Sequence, residues 1–272
     1  MLDSANQNEA PPSPLGTGKP SVTVQIVGAG AGDASYLTLA AVDAILKADV
    51  IYIDDLVDRS IRDLIPTHVE VRYVGKRAGR PSTSQTEIHA HLIAQAKLGR
   101  RVVRLKGGDP FIFGRGGEEA DALRSAGLNV VIVPGLTAAL VAAATTGISL
   151  TDRRYASQLT LVTANETDGS IPDLALLAGD RRTLVIYMGG AKGAAIARQL
   201  LSSPETAGLP AAIVQDAGRP TQRTTISSVA ALENDLSRRD TIKPTLIIVG
   251  RVVDEAQQRD AISFADVHFA HG

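Results

Sequence analysis

The chain has 272 residues, 44% of them apolar and 3% aromatic, with a net charge of −1 and no cysteine. That length can bury one large core or two modest ones. Near-neutral charge and scarce aromatic rings argue against a general nucleic-acid binder or a membrane-surface protein, and the lack of cysteine excludes disulfides, thiolate metal sites and a cysteine nucleophile.

Residues 1–20 are polar, rich in Pro, Ser, Asn and Gly, and lack the apolar core of a signal peptide, so they read as a disordered lead-in. The run Val22–Val27 ends in glycine and predicts a buried first strand. Apolar residues at helical spacing predict a helix over Leu37–Ala48, followed by a strand over Val50–Ile53 with Asp54 at its end. A helix over Glu87–Leu98, a strand over Arg101–Leu105, a helix over Glu118–Ala126, a strand over Val130–Val133 and a helix over Ala138–Thr146 continue the alternation. The longest apolar stretch, Val130–Ile148, is broken by Pro134, Gly135 and Gly147 and is too interrupted to span a membrane, which makes the cytosol the default location.

After about Leu150 the pattern changes. Strands are expected at Leu159–Thr163, Thr183–Met188, Ala211–Val214 and Thr245–Val249, with a short edge strand at Thr224–Ser227 and helices at Ala194–Leu201 and Ser228–Leu236. The expected organisation is a lead-in at 1–20, an N-terminal α/β domain at 21–135, a C-terminal α/β domain at 136–253 and a tail at 254–272. Binding loops belong at strand C-termini in such a fold.

Charge is uneven. Between Val71 and Gly108 stand nine basic residues, Arg72, Lys76, Arg77, Arg80, Lys97, Arg100, Arg101, Arg104 and Lys106, against the single acid Glu87. Solvated helix faces account for some of these; a cleft for a polyanion would account for the rest. Gly28-Ala29-Gly30-Ala31-Gly32-Asp33 lets backbone approach a ligand closely. With Asp54 it invites a dinucleotide-binding reading, but that fingerprint needs a small residue at Asp33 and an earlier acid. Asp54 and Asp55 end a strand, where a carboxylate can face a cleft and act as a general base. Tyr73-Val74-Gly75-Lys76-Arg77-Ala78-Gly79 suits an anion held by charge and backbone together. Densest of all is Lys106-Gly107-Gly108-Asp109-Pro110, with Gly116-Gly117 before Glu118-Glu119. Folding alone hardly explains so many glycines, because each raises the entropy cost of ordering.

Three segments, Val74–Gly79, Arg101–Glu119 and Val133–Ala138, resemble the signature segments of the uroporphyrinogen-III C-methyltransferases, which belong to the S-adenosylmethionine-dependent tetrapyrrole methylases. The resemblance runs from about Val22 to Val253. It implies two α/β domains of the tetrapyrrole methylase type with the active site in the cleft between them. It also implies two successive methylations of uroporphyrinogen III to precorrin-2, toward sirohaem or cobalamin, with S-adenosyl-L-methionine as methyl donor, no metal, and a homodimer. By the same resemblance Asp54 is the proton acceptor and Lys76 the proton donor. Ala31, Gly107, Gly108, Asp109, Ile112, Thr137, Ala138, Met188 and Ala217 bind the cofactor. The sequence departs from the family pattern at Ala31 (usually proline), Asp55 (arginine), Asp152 and Asn165 (histidine) and Ala217 (glycine). Asp55, Asp152 and Asn165 are expected where substrate is handled. Methylation of a later corrin intermediate, a nicotinamide-dependent oxidoreductase and a non-catalytic tetrapyrrole or S-adenosylmethionine binding module are the competing readings.

Overall fold

The computed structural model describes residues 23–75, 84–166 and 168–254. In the first half, β1 (Thr23–Gly28), α1 (Leu39–Lys47), β2 (Val50–Ile53), α2 (Arg59–Arg62), β3 (Glu70–Tyr73), α3 (Gln85–Lys97), β4 (Val102–Lys106), α4 (Gly116–Ser125) and β5 (Asn129–Val133) follow one another. The strands form one sheet in the order β3-β2-β4-β1-β5, every pair parallel. Alternation sorts the strand side chains. Ile51, Ile53, Val103 and Leu105 pack on one face with Ala41 and Ile45 of α1. Val50, Tyr52 and Val102 pack on the other with Ile88 and Leu92 of α3 and Leu123 of α4.

The connection after β1 leads toward β2 and the one after β4 leads toward β5, in opposite directions across the sheet. The loops leaving β1 and β4 therefore part at a topological switch point, where an open parallel sheet leaves a crevice at its carboxyl edge.

Next, α5 (Ala138–Thr146) leads into β6 (Gln158–Thr163), α6 (Leu174–Leu177), β7 (Arg182–Tyr187), α7 (Gly193–Leu201), α8 (Pro204–Ala207), β8 (Pro210–Gln215), β9 (Arg223–Ser228), α9 (Leu232–Ser237) and β10 (Thr245–Val249). These strands form a second sheet in the order β6-β7-β10-β8-β9. Its β6–β7 pair is parallel, and the other three are antiparallel. One face packs against Ile196 and Leu200 of α7 and Leu232 and Leu236 of α9. The other packs against Ala139 and Ala142 of α5, and Ile112 from the loop after β4 reaches the same cluster.

Element ends differ from the sequence-based expectation by a residue or two in most places. Larger differences occur at β3 and α9, and the short helices α2, α6 and α8 were not expected. β3 was not expected, because Glu70-Val71-Arg72-Tyr73 is an edge strand with no continuous apolar run. The edge strand β9 is six residues long. The helix expected from Ser228 begins only at Leu232, since Ser228 Oγ accepts from the Ala231 N–H and closes a turn first.

Candidate functional site

The loops after β1 and β4 meet at the switch point. Gly30 and Gly108 exchange backbone hydrogen bonds of 3.1 and 2.8 Å, so the two loops form one platform. Gly28 is fixed by space: a Cβ there would lie 2.5 Å from Gly135 N and 2.7 Å from Gly108 O. Beside this platform is a cavity of about 380 Å³. Asp109 is not among its described lining. Its Oδ1 accepts from Phe111 N at 2.8 Å and its Oδ2 from Gly135 N at 3.1 Å, so the carboxylate shapes the loop from behind. Four residues bordering the cavity, Phe113, Arg115, Met188 and Asp216, have left-handed backbone, with φ of 52°, 57°, 55° and 51°. Such conformations cost energy and gather at functional sites.

The cavity floor is charged. β2 and β4 are neighbours with Tyr52 opposite Arg104. Alternation then turns Arg104 and Lys106 toward the face covered by α3 and α4, and brings Asp54 beside them. Arg104 Nη2 donates to Asp54 Oδ1 at 2.5 Å and Nε donates to Glu119 Oε1 at 3.3 Å. Lys106 Nζ donates to Glu119 Oε1 at 2.9 Å and stands 3.9 Å from Asp54 Oδ2. Glu119 is fully buried, Arg104 and Lys106 nearly so, and the Asp54 side chain is 26% exposed. Burial and the neighbouring Arg104 charge push the Lys106 ammonium below its usual value, against the opposing pull of Glu119 and Asp54.

The second sheet supplies the opposite wall. Thr137 caps α5 by position, and its Oγ1 is 2.7 Å from Tyr187 Oη at the end of β7. Tyr187 Oη also accepts from Ala139 N at 3.0 Å. Burial raises the Tyr187 phenol above its ordinary value, so it stays neutral. Its ring packs 4.9 Å from that of Phe113. In the turn after β8, Asp216 accepts from Thr221 Oγ1 at 2.8 Å and pairs with Lys243 at 2.8 Å. Arg219 reaches back to the first half, with Nη2 on Leu56 O at 2.5 Å and Nε 3.4 Å from Asp58 Oδ2. Asp33 N bonds Gly218 O at 3.3 Å. The Arg219 contacts bind the loop after Asp54 to the turn after β8 beside the cavity.

Of the residues singled out in the sequence, Asp54, Ala31, Gly107, Gly108, Ile112, Thr137, Ala138, Met188 and Ala217 all border this cavity. Lys76 lies outside the described residues. Asp55, Asp152 and Asn165 are not among the described lining: Asp55 N lies 2.5 Å from where a Cβ on Gly75 would be, and the Asp152 carboxylate accepts from Arg154 at 3.0 and 2.9 Å. The basic stretch is more balanced in space than along the chain. Arg72 and Arg100 pair with Glu70, Arg101 with Asp49, and Arg104 and Lys106 with Asp54 and Glu119. The acids lie outside the counted window: Asp49 and Asp54 flank β2, Glu70 opens β3 and Glu119 lies on α4. Sequence reasoning gave no role to Glu119, Tyr187 or Arg219. The parity of Arg104 and Lys106 on β4 was a readable signal, whereas the reach of Arg219 to Leu56 and Asp58 had none, since they are more than 150 positions away.

Residues 23–233 match the family model of the tetrapyrrole (corrin/porphyrin) methylases. Siroheme synthase 1 of Klebsiella pneumoniae is 44% identical over 234 residues, covering 86% of this chain and 49% of that protein. Siroheme synthase 1 of Cronobacter sakazakii is 43% identical over 251 residues, covering 92% and 52%. The chain spans about half the length of these curated relatives. A solved uroporphyrin-III C-methyltransferase from Thermus thermophilus superposes with a TM-score of 0.72 at 36% identity, covering 87% of this chain and 95% of that one. A Thermus thermophilus uroporphyrin-III C-methyltransferase complexed with S-adenosyl homocysteine gives 0.73 at 37%, covering 85% and 99%.

Proposed function

The chain belongs to the tetrapyrrole methylase family, and on that premise we propose that it is an S-adenosylmethionine-dependent C-methyltransferase that converts uroporphyrinogen III to precorrin-2 by two successive methylations, a step toward sirohaem and cobalamin. The observation that carries this reading is convergence. Segments far apart in the chain, from the Ala31 loop to the Ala217 turn, bring the family-signature residues to one cavity between the two sheets. The uroporphyrin-III C-methyltransferases of Thermus thermophilus align over nearly their whole length.

The cavity fits an adenosylated amino acid. Its wall is mostly apolar, with backbone exposed at Gly107 and Gly108 and a hydroxyl at Thr137. Ala31, Gly107, Gly108, Ile112, Thr137, Ala138, Met188 and Ala217 would hold S-adenosylmethionine, and Asp109 would act by fixing the loop. When bound, that group supplies an electrophilic methyl for in-line displacement. The protein's part is to orient the tetrapyrrole, exclude water and manage the proton that the methylated ring must lose. Asp54 is the proton acceptor of this scheme and Lys76 the donor. Two further proposals, a homodimer and a cytosolic location, rest on the resemblance; among the described residues no helix is long and apolar enough to cross a membrane.

Anaerobic incubation with uroporphyrinogen III and S-adenosylmethionine, read by mass spectrometry, tests the reading. A gain of two methyl groups is expected. Tight cofactor binding with no gain in mass would reject it in favour of a binding module or another substrate.

A further inference from the structure

The cavity floor contains a buried amine that the roles above leave unused. Lys106 closes β4 with its side chain 5% exposed and borders the cavity. Asp54 has Oδ1 committed to Arg104. The charged groups that face the amine are Asp54 from the end of β2, Arg104 from β4, and Glu119 and the more distant Glu118 from α4. Glu119 spends one oxygen on both Arg104 and Lys106, while its buried Oε2 has no hydrogen-bond partner among the described residues. A buried ion cluster that served folding alone gains little over apolar packing and is normally fully satisfied. This one is partly satisfied and opens onto the cavity.

We propose that Lys106 is a further catalytic residue of this cavity, a proton-transfer group that works beside Asp54 on the bound tetrapyrrole. The proposal rests on the methyl-transfer reading above. Attack of a ring carbon on the methyl group forms a C–C bond as the methyl–sulfur bond breaks; the C–S electron pair leaves with S-adenosylhomocysteine, and the sulfonium's positive charge passes to the tetrapyrrole. The lone pair of the neutral Lys106 amine then takes a proton from a carbon of that conjugated system. The C–H electron pair returns to the system and cancels its charge, and Nζ becomes an ammonium. Glu119 at 2.9 Å and Asp54 at 3.9 Å stabilise that ammonium, which releases the proton to water before the next turnover. Burial and the Arg104 charge push the Lys106 ammonium below its usual value, against the pull of Glu119 and Asp54.

Lys106→Arg separates catalysis from structure. It keeps a cation opposite Glu119 but stays protonated at every working pH. In the methyl-transfer assay kcat is expected to fall about 100-fold or more, the usual weight of a general base. KM, S-adenosylmethionine affinity by calorimetry and melting temperature should stay close to those of the unaltered chain. The unaltered chain's kcat should rise with pH as Lys106 loses its proton, and the variant should lack that limb. If circular dichroism shows that Lys106→Arg does not fold, the double variant Lys106→Met, Glu119→Gln removes both charges and carries the same expectation. A folded variant with kcat within about threefold of the unaltered chain, or with the same pH limb, overturns the proposal. An unaltered chain that transfers no methyl overturns the function reading on which it stands.

Discussion

Tyr187 Oη lies 2.7 Å from Thr137 Oγ1 and 3.0 Å from Ala139 N, so one phenol on the second sheet organises the first turn of α5. Either hydroxyl can donate in the Thr137–Tyr187 bond; with Tyr187 donating, the Thr137 proton is left to meet a ligand. The sequence pointed to Thr137 and Met188 and passed over the tyrosine that precedes Met188.

Tyr187→Phe should therefore weaken the site without emptying it. Loss of the buried hydrogen bonds should cost about 1–3 kcal/mol of stability, because Ala139 N and Thr137 lose their partner. Cofactor affinity should fall about tenfold as Thr137 loses its orientation. Thermal melting and calorimetry check the two parts separately; unchanged affinity would detach Tyr187 from binding.

Asp54→Asn should abolish most turnover and spare cofactor binding. The amide removes the charge opposite Arg104 and Lys106 and cannot accept a proton as a carboxylate does. A drop in kcat of about 100- to 10,000-fold is expected, with S-adenosylmethionine affinity retained. Full activity in the variant would take Asp54 out of the reaction.

Two glycine substitutions should have opposite signs. Gly28→Ala drives a Cβ to 2.5 Å from Gly135 N, where backbone cannot yield easily, and should cost about 1–3 kcal/mol or more. Gly117→Ala lies in α4 with nothing within 4 Å of the added atom and should stabilise by about 0.5–1 kcal/mol. Chemical denaturation of both variants measures the difference.

The pair Asp49–Arg101 gives a pH test far from the site. Hydrogen bonds from the Arg101 side chain and backbone hold the Asp49 carboxyl at about 2, down from its ordinary 3.8. A depressed carboxylate contributes stability above its unfolded value and loses it as pH falls through the folded one. Asp49→Asn should thus be slightly less stable than the unaltered chain at pH 7, and the gap should close between pH 3.8 and about 2. Melting curves across that range check it; a gap independent of pH would mean that charge is not the cause.

Much of the architecture was readable along the chain. Runs such as Val50–Ile53 and Thr245–Val249 announced strands through apolar content, and Ala138–Thr146 announced a helix, because burial imposes its period on local sequence. β3 was not readable, since an edge strand needs no apolar run. Antiparallel pairing in the second sheet was not readable either, for strand direction depends on which elements meet.

The sequence alone determined the backbone of the site. The glycines at 28 and 135 mark where two backbones approach more closely than any side chain allows, and Gly108 supplies a left-handed turn at φ 70°; those requirements are written residue by residue. The charges were decided by the tertiary structure. Nine cations counted along one stretch suggested an open basic cleft; in space Glu70, Asp49, Asp54 and Glu119 neutralise five of them. Coulomb interactions depend on distance in space, and Arg104 and Glu119, fifteen positions apart, come to 3.3 Å only because β4 and α4 pack face to face.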